Sequence, residues 1–280
     1  MSAKRGKQMS ARRGKRAAAA RPRTLAIDIG GTHIKASVLD PQGKMLAPEV
    51  FEVTPHPTTP RALLGAVARL IDQLPAFERI SAGFPGYVKR NVVYTAPNLG
   101  TEHWRDFGLA EALTARFGKP ARILNDADVQ GLGVISGEGL ECVLTLGTGI
   151  GSSFFYNGRL LPHLELGQHP IRRRLTYDRY IGDAVRRRKG RKKWNKRLQK
   201  ALTIVTTLVN YDMLHLGGGN AQRIDFKLPR NVKLASNVNG IIGGIHLWRP
   251  ELDELFTPMG GPDARAEARK LPHRDRVTKR

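Results

Sequence analysis

Residues 24–43 read TLAIDIGGTHIKASVLDPQG, and residues 142–158 read CVLTLGTGIGSSFFYNG. Each runs from an apolar strand through a glycine turn into a second strand, and each ends on a turn closed by glycine. Laying Gly30, Gly31 and Thr32 over Gly147, Thr148 and Gly149 aligns the two units, with a Gln-Gly turn following in one and an Asn-Gly turn in the other. An Asn-Gly pair between apolar runs is a strong hairpin signal. A third strand is expected after each unit.

Downstream of each unit the pattern changes to helix–strand alternation. Thr59 to Leu74 carries Leu63, Val67, Leu70 and Ile71 at helical spacing, a strand ends in AGFPG, Leu109 to Phe117 reads as a helix, and ARILND is a strand stopping on two polar residues. After the second unit comes a helix with Trp194, Leu198, Leu202, Val205 and Val209 on one face. The strand MLHL, the turn GGGN and a last helix near Asn239–Trp248 follow. Two copies of three strands followed by this alternation predict a duplicated α/β fold with a cleft between its halves. The expected division is 24–125 and 126–256, between a disordered basic arm (1–23) and a basic tail (257–280).

The chain has 280 residues, 40% of them hydrophobic, enough to bury a sizeable core, and a net charge of +23. Residues 1–23 hold nine basic residues and no acid, which leaves +14 on the remainder. The excess therefore extends into the folded body and predicts a polyanionic partner. Cys142 is the sole cysteine, which rules out an intramolecular disulfide and a Cys-rich zinc site. No run approaches 18 apolar residues, and Ala17–Ala20 is too short for a signal-peptide core, so a cytoplasmic protein without a membrane span is expected.

The two glycine turns, with LGGGN at 216–220 (Gly217, Gly218, Gly219), can bring several backbone N–H groups close to an anion. Their duplication favours phosphate binding over mere chain reversal. The pattern is neither GxxxxGK[ST] nor GxGxxG, since Ser152 stands sixth from Gly147. Asp28 and Lys35 flank the first turn. Asp28 either caps it or holds a hydrated magnesium ion beside a phosphate, and Lys35 either neutralises that phosphate or is an exposed strand residue. In NDADVQGLG, Asp126 is either a helix cap or a general base accepting the proton of a hydroxyl that attacks phosphorus. Asp128, two residues along a helix, points elsewhere.

LAIDIGGTHIK, SAGFPG, APNLG, NDADVQGLG, LTLGTGIGS, ELGQHP and LGGGN, in that order over residues 24–250, resemble the ROK sugar kinases, and more narrowly the bacterial polyphosphate glucokinases of that family. The resemblance implies an actin/hexokinase-like fold of two ribonuclease-H-like domains with the sugar in the interdomain cleft. It implies Asp126 as base on the sugar 6-hydroxyl, and Asn98, Asn125 and Glu165 as sugar contacts. Gly30–Thr32, Gly147–Gly149 and Gly217–Gly219 are then the phosphate turns. It implies glucose as acceptor, polyphosphate or ATP as donor, magnesium as cofactor, and a homodimer. The chain departs from the family at Gln168, which stands where a sugar-binding histidine is usual, and His169 reads as its structural neighbour. Asp178 is matched to a sugar-binding glutamate, one methylene shorter. No zinc loop can be built.

The run 183–200, DAVRRRKGRKKWNKRLQK, holds ten lysines and arginines and a single acid, Asp183. Solvated helices usually alternate sign, so the run, with Arg172 and Arg173 before it and Arg187, Arg188, Lys192 and Lys193 within it, is expected to track polyphosphate near the donor side. Base recognition lacks its aromatic signature here, because Trp194 is in phase with the apolar face. The arm could still hold nucleic acid without specificity, but 23 residues supply no DNA-binding domain for a sugar-responsive repressor. The alternatives are an ATP-dependent kinase for another hexose and a non-catalytic sugar- or polyanion-binding protein.

Overall fold

The computed structural model describes residues 22–236 and 238–257, so the expected arm and tail lie almost wholly outside the described residues. Strand β1 (Thr24–Ile29) is buried along its length except at Asp28. It pairs antiparallel with β2 (His33–Leu39), which pairs antiparallel with β3 (Val50–Val53). Helix α1 (Pro60–Ile71) starts where Thr59 Oγ1 accepts the Ala62 N–H at 3.2 Å, with proline in its first turn. It buries Leu63, Ala66, Val67 and Leu70 and delivers the chain to β4 (Arg79–Phe84), parallel to β1. A short hairpin, β5 (Val88–Lys89) and β6 (Val92–Val93), leads to the single turn α2 (Thr101–Trp104) and to α3 (Leu109–Phe117). Strand β7 (Ala121–Asn125) then adds parallel to β4, giving the order β3-β2-β1-β4-β7.

Helix α4 (Asp126–Leu132) follows β7 without a loop and carries the chain to the second half. There β8 (Leu140–Leu146), β9 (Ile150–Tyr156) and β10 (Arg159–Leu160) repeat the antiparallel meander. A small hairpin, β11 (Pro170–Arg172) and β12 (Leu175–Thr176), precedes three helices: α5 (Tyr177–Ile181), α6 (Asp183–Lys189) and α7 (Arg191–Val209). Strands β13 (Met213–Gly217) and β14 (Val232–Leu234) add in parallel, so the order β10-β9-β8-β13-β14 repeats the first sheet. Three antiparallel strands followed by two parallel ones, twice over, make the paired ribonuclease-H-like halves of an actin/hexokinase-like fold. Each half has its own core, centred on Leu25, Ile80 and Trp104 in one and on Leu144, Trp194 and Leu214 in the other.

The C-terminal segment departs from expectation in two ways. Only Asn239–Ile242 (α8) is α-helical, and Gly243–Trp248 continues as a tighter 3₁₀ turn before α9 (Asp253–Phe256). The segment was also expected to belong with the second half; Leu247, Leu252 and Phe256 do pack there with Val143 and Phe155, but its first turns also sit on the first half. Ile241 meets Ala26 and Leu39, Trp248 Nε1 donates to Ser81 Oγ at 2.8 Å, and Arg122 Nη1 donates to the Leu247 carbonyl at 2.8 Å. Glycines make this possible: a Cβ at Gly243 would collide with the Val129 carbonyl, and one at Gly244 would lie 2.9 Å from Ala26 Cβ. α4 and α8 therefore cross in near backbone contact beneath the cleft.

Candidate active site

The parallel strands of both sheets point their carboxyl ends at one another. The chain after each of β1, β4, β7, β8 and β13 lines a single cavity of about 410 Å³. Open α/β sheets bind ligands at this edge. The two aligned glycine turns oppose each other across it, since a Cβ on Gly31 would sit 3.8 Å from Thr148 Oγ1 and 3.8 Å from Asn98 Cβ. Each turn is braced from behind. Thr54 Oγ1 donates to the Gly30 carbonyl at 2.7 Å, and the Asp183 N–H donates to the Gly147 carbonyl at 3.0 Å. In the third turn Gly218 has φ +81 and packs on the Leu146 backbone, so a side chain there is excluded twice. Gly219 lies open to the cavity, whereas Gly217 lies behind the lining against the Gln130 side chain.

Asp28 and Lys35 stand directly opposite on β1 and β2 and both line the cavity. Burial holds the Asp28 proton more tightly than usual; Lys35 opposes that shift and Glu49 adds to it. Asp126 opens α4, where its Oδ1 accepts the Ala127 N–H at 2.8 Å. Burial first, and the Asp28 charge next, push Asp126 up to about 7, against the Ala127 hydrogen bond. A carboxyl poised near neutrality takes a proton from a hydroxyl far better than one at its ordinary value. Asp28 offers carboxylate oxygens and the glycine turns offer N–H groups for a phosphate, which fits magnesium held by one carboxylate, phosphate oxygens and water. Among the described residues no group of three or more His, Cys, Asp and Glu is arranged to hold a metal without such help.

The residues matched to sugar contacts all reach this cavity, and they differ in how far their polar atoms are already engaged. Asn98 is exposed on its loop, and Glu165 and Gln168 line the opposite wall. Asn125 is committed: its Oδ1 accepts the Ala127 N–H at 2.8 Å and its Nδ2 donates to the Gly86 carbonyl at 3.0 Å, so it caps α4 and frames the floor. Asp178 is committed too. Its Oδ1 accepts the Ile150 N–H at 2.7 Å and its Oδ2 accepts Gln168 Nε2 at 2.8 Å, tying the second glycine turn to Gln168. His169 lies outside the lining, against the Tyr177 ring.

Sequence patterning missed His163. Its Nδ1 lies 3.2 Å from Asp128 Oδ2 and its Nε2 lies 3.4 Å from Glu165 Oε1. Asp128 does point away from Asp126, but into this buried contact. Burial disfavours charge on the ring, yet the ring's hydrogen bond to Asp128 and the adjacent Glu165 carboxylate outweigh it and raise His163 to about 10. A histidine two residues before Glu165 in an irregular segment has no periodicity to mark it.

The basic track is not one track. Arg187 is taken up by Asp183 at 2.6 Å, as is Arg186 at 2.8 Å, so the acid that opens the run offsets part of it. Arg188, Lys192 and Lys193 are exposed. Arg172 and Arg173 belong instead to a separate hollow of about 570 Å³ that they share with Arg174, Leu175, Tyr180 and Arg197, and none of these residues lines the cleft. Arg197 is fixed there, its guanidinium 4.7 Å above the Tyr180 ring. The start of α6 does reach the second glycine turn through the Asp183 N–H, which donates to the Gly147 carbonyl.

A sequence model of the ROK family matches residues 24–165. A polyphosphate glucokinase from Mycobacterium leprae (strain TN) is 29% identical over 240 residues, covering 80% of this chain and 74% of its own. A glucokinase from Streptomyces coelicolor is 37% identical over 147 residues, 49% of this chain and 44% of its own. Among solved structures, the inorganic polyphosphate/ATP-glucomannokinase from Arthrobacter sp. strain KM superposes with a TM-score of 0.74 at 32% identity, covering 80% of this chain and 97% of that one.

Proposed function

The chain belongs to the ROK family, and on that premise we propose that it transfers a phosphoryl group from inorganic polyphosphate, or from ATP, to the 6-hydroxyl of glucose. The relatives named for polyphosphate and glucose chemistry support this reading. The observation that carries it is the placement of Asp126, a carboxyl with its pKa near 7, between a wall of sugar-type polar groups and two opposed glycine turns.

In this reading the hexose lies against Asn98, Glu165 and Gln168, with Asn125 and Asp178 holding the frame. Asp126 accepts the hydroxyl proton as the new oxygen–phosphorus bond forms. The bond from phosphorus to the remainder of the donor breaks, and its electron pair stays on the departing phosphate oxygen, stabilised by the amides of Gly30–Thr32, Gly147–Gly149 and Gly218–Gly219 and by Lys35. Magnesium held by Asp28 would supply neutralisation of donor charge.

Arg188, Lys192 and Lys193 guide a polyanionic donor to the cleft. Gln168 offers an amide where the family has an imidazole, and its bond to Asp178 leaves an amide oxygen for the sugar. That is the specific feature favouring a second reading, a kinase for a hexose other than glucose. A homodimer and a cytoplasmic location are supported by the resemblance alone. No helix of the described residues is long and apolar enough to cross a membrane. The test is phosphorylated-hexose formation by the wild type and Asp126→Asn over a panel of hexoses. Loss of turnover in Asp126→Asn with retained sugar binding is expected; equal turnover in both proteins would overturn the proposal.

A further inference from the structure

The buried Asp128–His163 pair behind Glu165 has no part in the chemistry above. The side chains of Asp128 and His163 are 5% and 7% exposed, and Asp128 Oδ1 is buried without a hydrogen-bond partner. Burying two ionisable groups this way costs stability that apolar side chains of similar volume would not. A chain that keeps them gains something else.

What it gains is visible at Glu165. Oε1 of that carboxylate is buried against the imidazole, 3.4 Å from Nε2, while the residue as a whole lines the cavity. One oxygen is thus held from behind and the other is left for a ligand. The ring itself is braced on three sides: by Asp128 from α4, by Glu165 from its own segment, and by the Tyr87 ring, whose centroid is 5.9 Å away, from the β4–β5 loop of the other half. Glu165 also lies within electrostatic reach of Asp126, Asp128 and Asp178, each of which its charge makes harder to ionise.

We infer that His163 is a positioning residue for the acceptor side of the cleft: anchored by the buried Asp128, it fixes the Glu165 carboxylate so that its free oxygen receives hydroxyls of the hexose. The inference rests on the sugar-kinase reading. It assigns His163 no contact with the donor and no part in the proton transfer. The 3.4 Å spacing is an ion-pair distance with poor hydrogen-bond alignment.

The experiment compares His163→Leu, His163→Gln and Asp128→Asn with the wild type, reading KM for hexose and for donor separately, kcat and Tm. His163→Leu should raise the hexose KM about ten- to a hundred-fold, the size seen when an orienting partner is lost, and leave the donor KM within about twofold. His163→Gln, which keeps a donor toward Glu165, should recover most of the loss. Asp128→Asn should move the hexose KM in the same direction, and the Asp128→Asn/His163→Gln double variant should lose less than the product of the two single effects. A mere structural pin predicts a lower Tm with no selective change in either KM. That result, or hexose and donor KM rising together, overturns the inference. If His163→Leu does not fold, the other two variants carry the comparison. Absence of turnover by the wild type with every hexose defeats the kinase reading instead, and calorimetric hexose binding by the same proteins then decides the role of His163.

Discussion

A carboxylate in water loses its proton near pH 4, but burial first, and the Asp28 charge next, place Asp126 near 7 at the first turn of α4. Its ionised form is the active one, so kcat/KM should fall tenfold per pH unit below about 7, and a profile flat down to pH 5 would contradict the assignment. Replacing it with asparagine should lower kcat by about 10²–10⁴. The same substitution should stabilise the protein. A folded-state pKa above the ordinary value means stability is complete below about pH 4 and is lost as pH rises through about 7. Asp126→Asn should therefore melt roughly 2–4 °C higher at pH 8, for about 1 kcal/mol, with the gain vanishing toward pH 4. At this scale the sequence showed Asp126 because it stands where an apolar strand stops. It could not separate Asn125, whose amide is spent on the backbone, from Asn98, whose amide is free, since that depends on the neighbouring Gly86 carbonyl.

Among the elements, the strands and the longer helices were legible because periodicity and turn residues mark them; Leu109–Phe117 is a helix with those same bounds. The last segment was legible only as a helix near Asn239–Trp248: the α-helix stops at Ile242 and a 3₁₀ turn follows, where Gly243 lets the chain pass close to α4. Gly243→Ala should cost about 1–3 kcal/mol, measurable by urea unfolding, because its methyl meets the Val129 carbonyl. The α6–α7 face carries a different expectation. Changing Arg188, Lys192 and Lys193 together to glutamine should raise the polyphosphate KM about tenfold and reduce the salt dependence of polyphosphate binding, by about one unit of slope per lost phosphate contact. The ATP KM should stay within about twofold. Arg187→Gln should do less, since Asp183 already occupies that side chain.

At the scale of the whole molecule, duplication decides the architecture: two sheets of one strand order turn their carboxyl edges together, and the cleft follows. That much could be read from two aligned glycine turns. The division of the basic charge could not, because residues adjacent in sequence diverge at the β11–β12 hairpin, which sends Arg172 and Arg173 to a hollow apart from the cleft. With a net charge of +23, attraction of a polyanion is a property of the molecule as well as of three side chains. The most direct test is the initial rate of glucose 6-phosphate formation with magnesium, with polyphosphate or ATP supplied separately, for the wild type and Asp126→Asn side by side. Turnover by the wild type that weakens with added salt when polyphosphate is the donor, and collapses in Asp126→Asn with either donor, is the predicted result. Undiminished turnover by Asp126→Asn, or none by the wild type with either donor, would contradict the account.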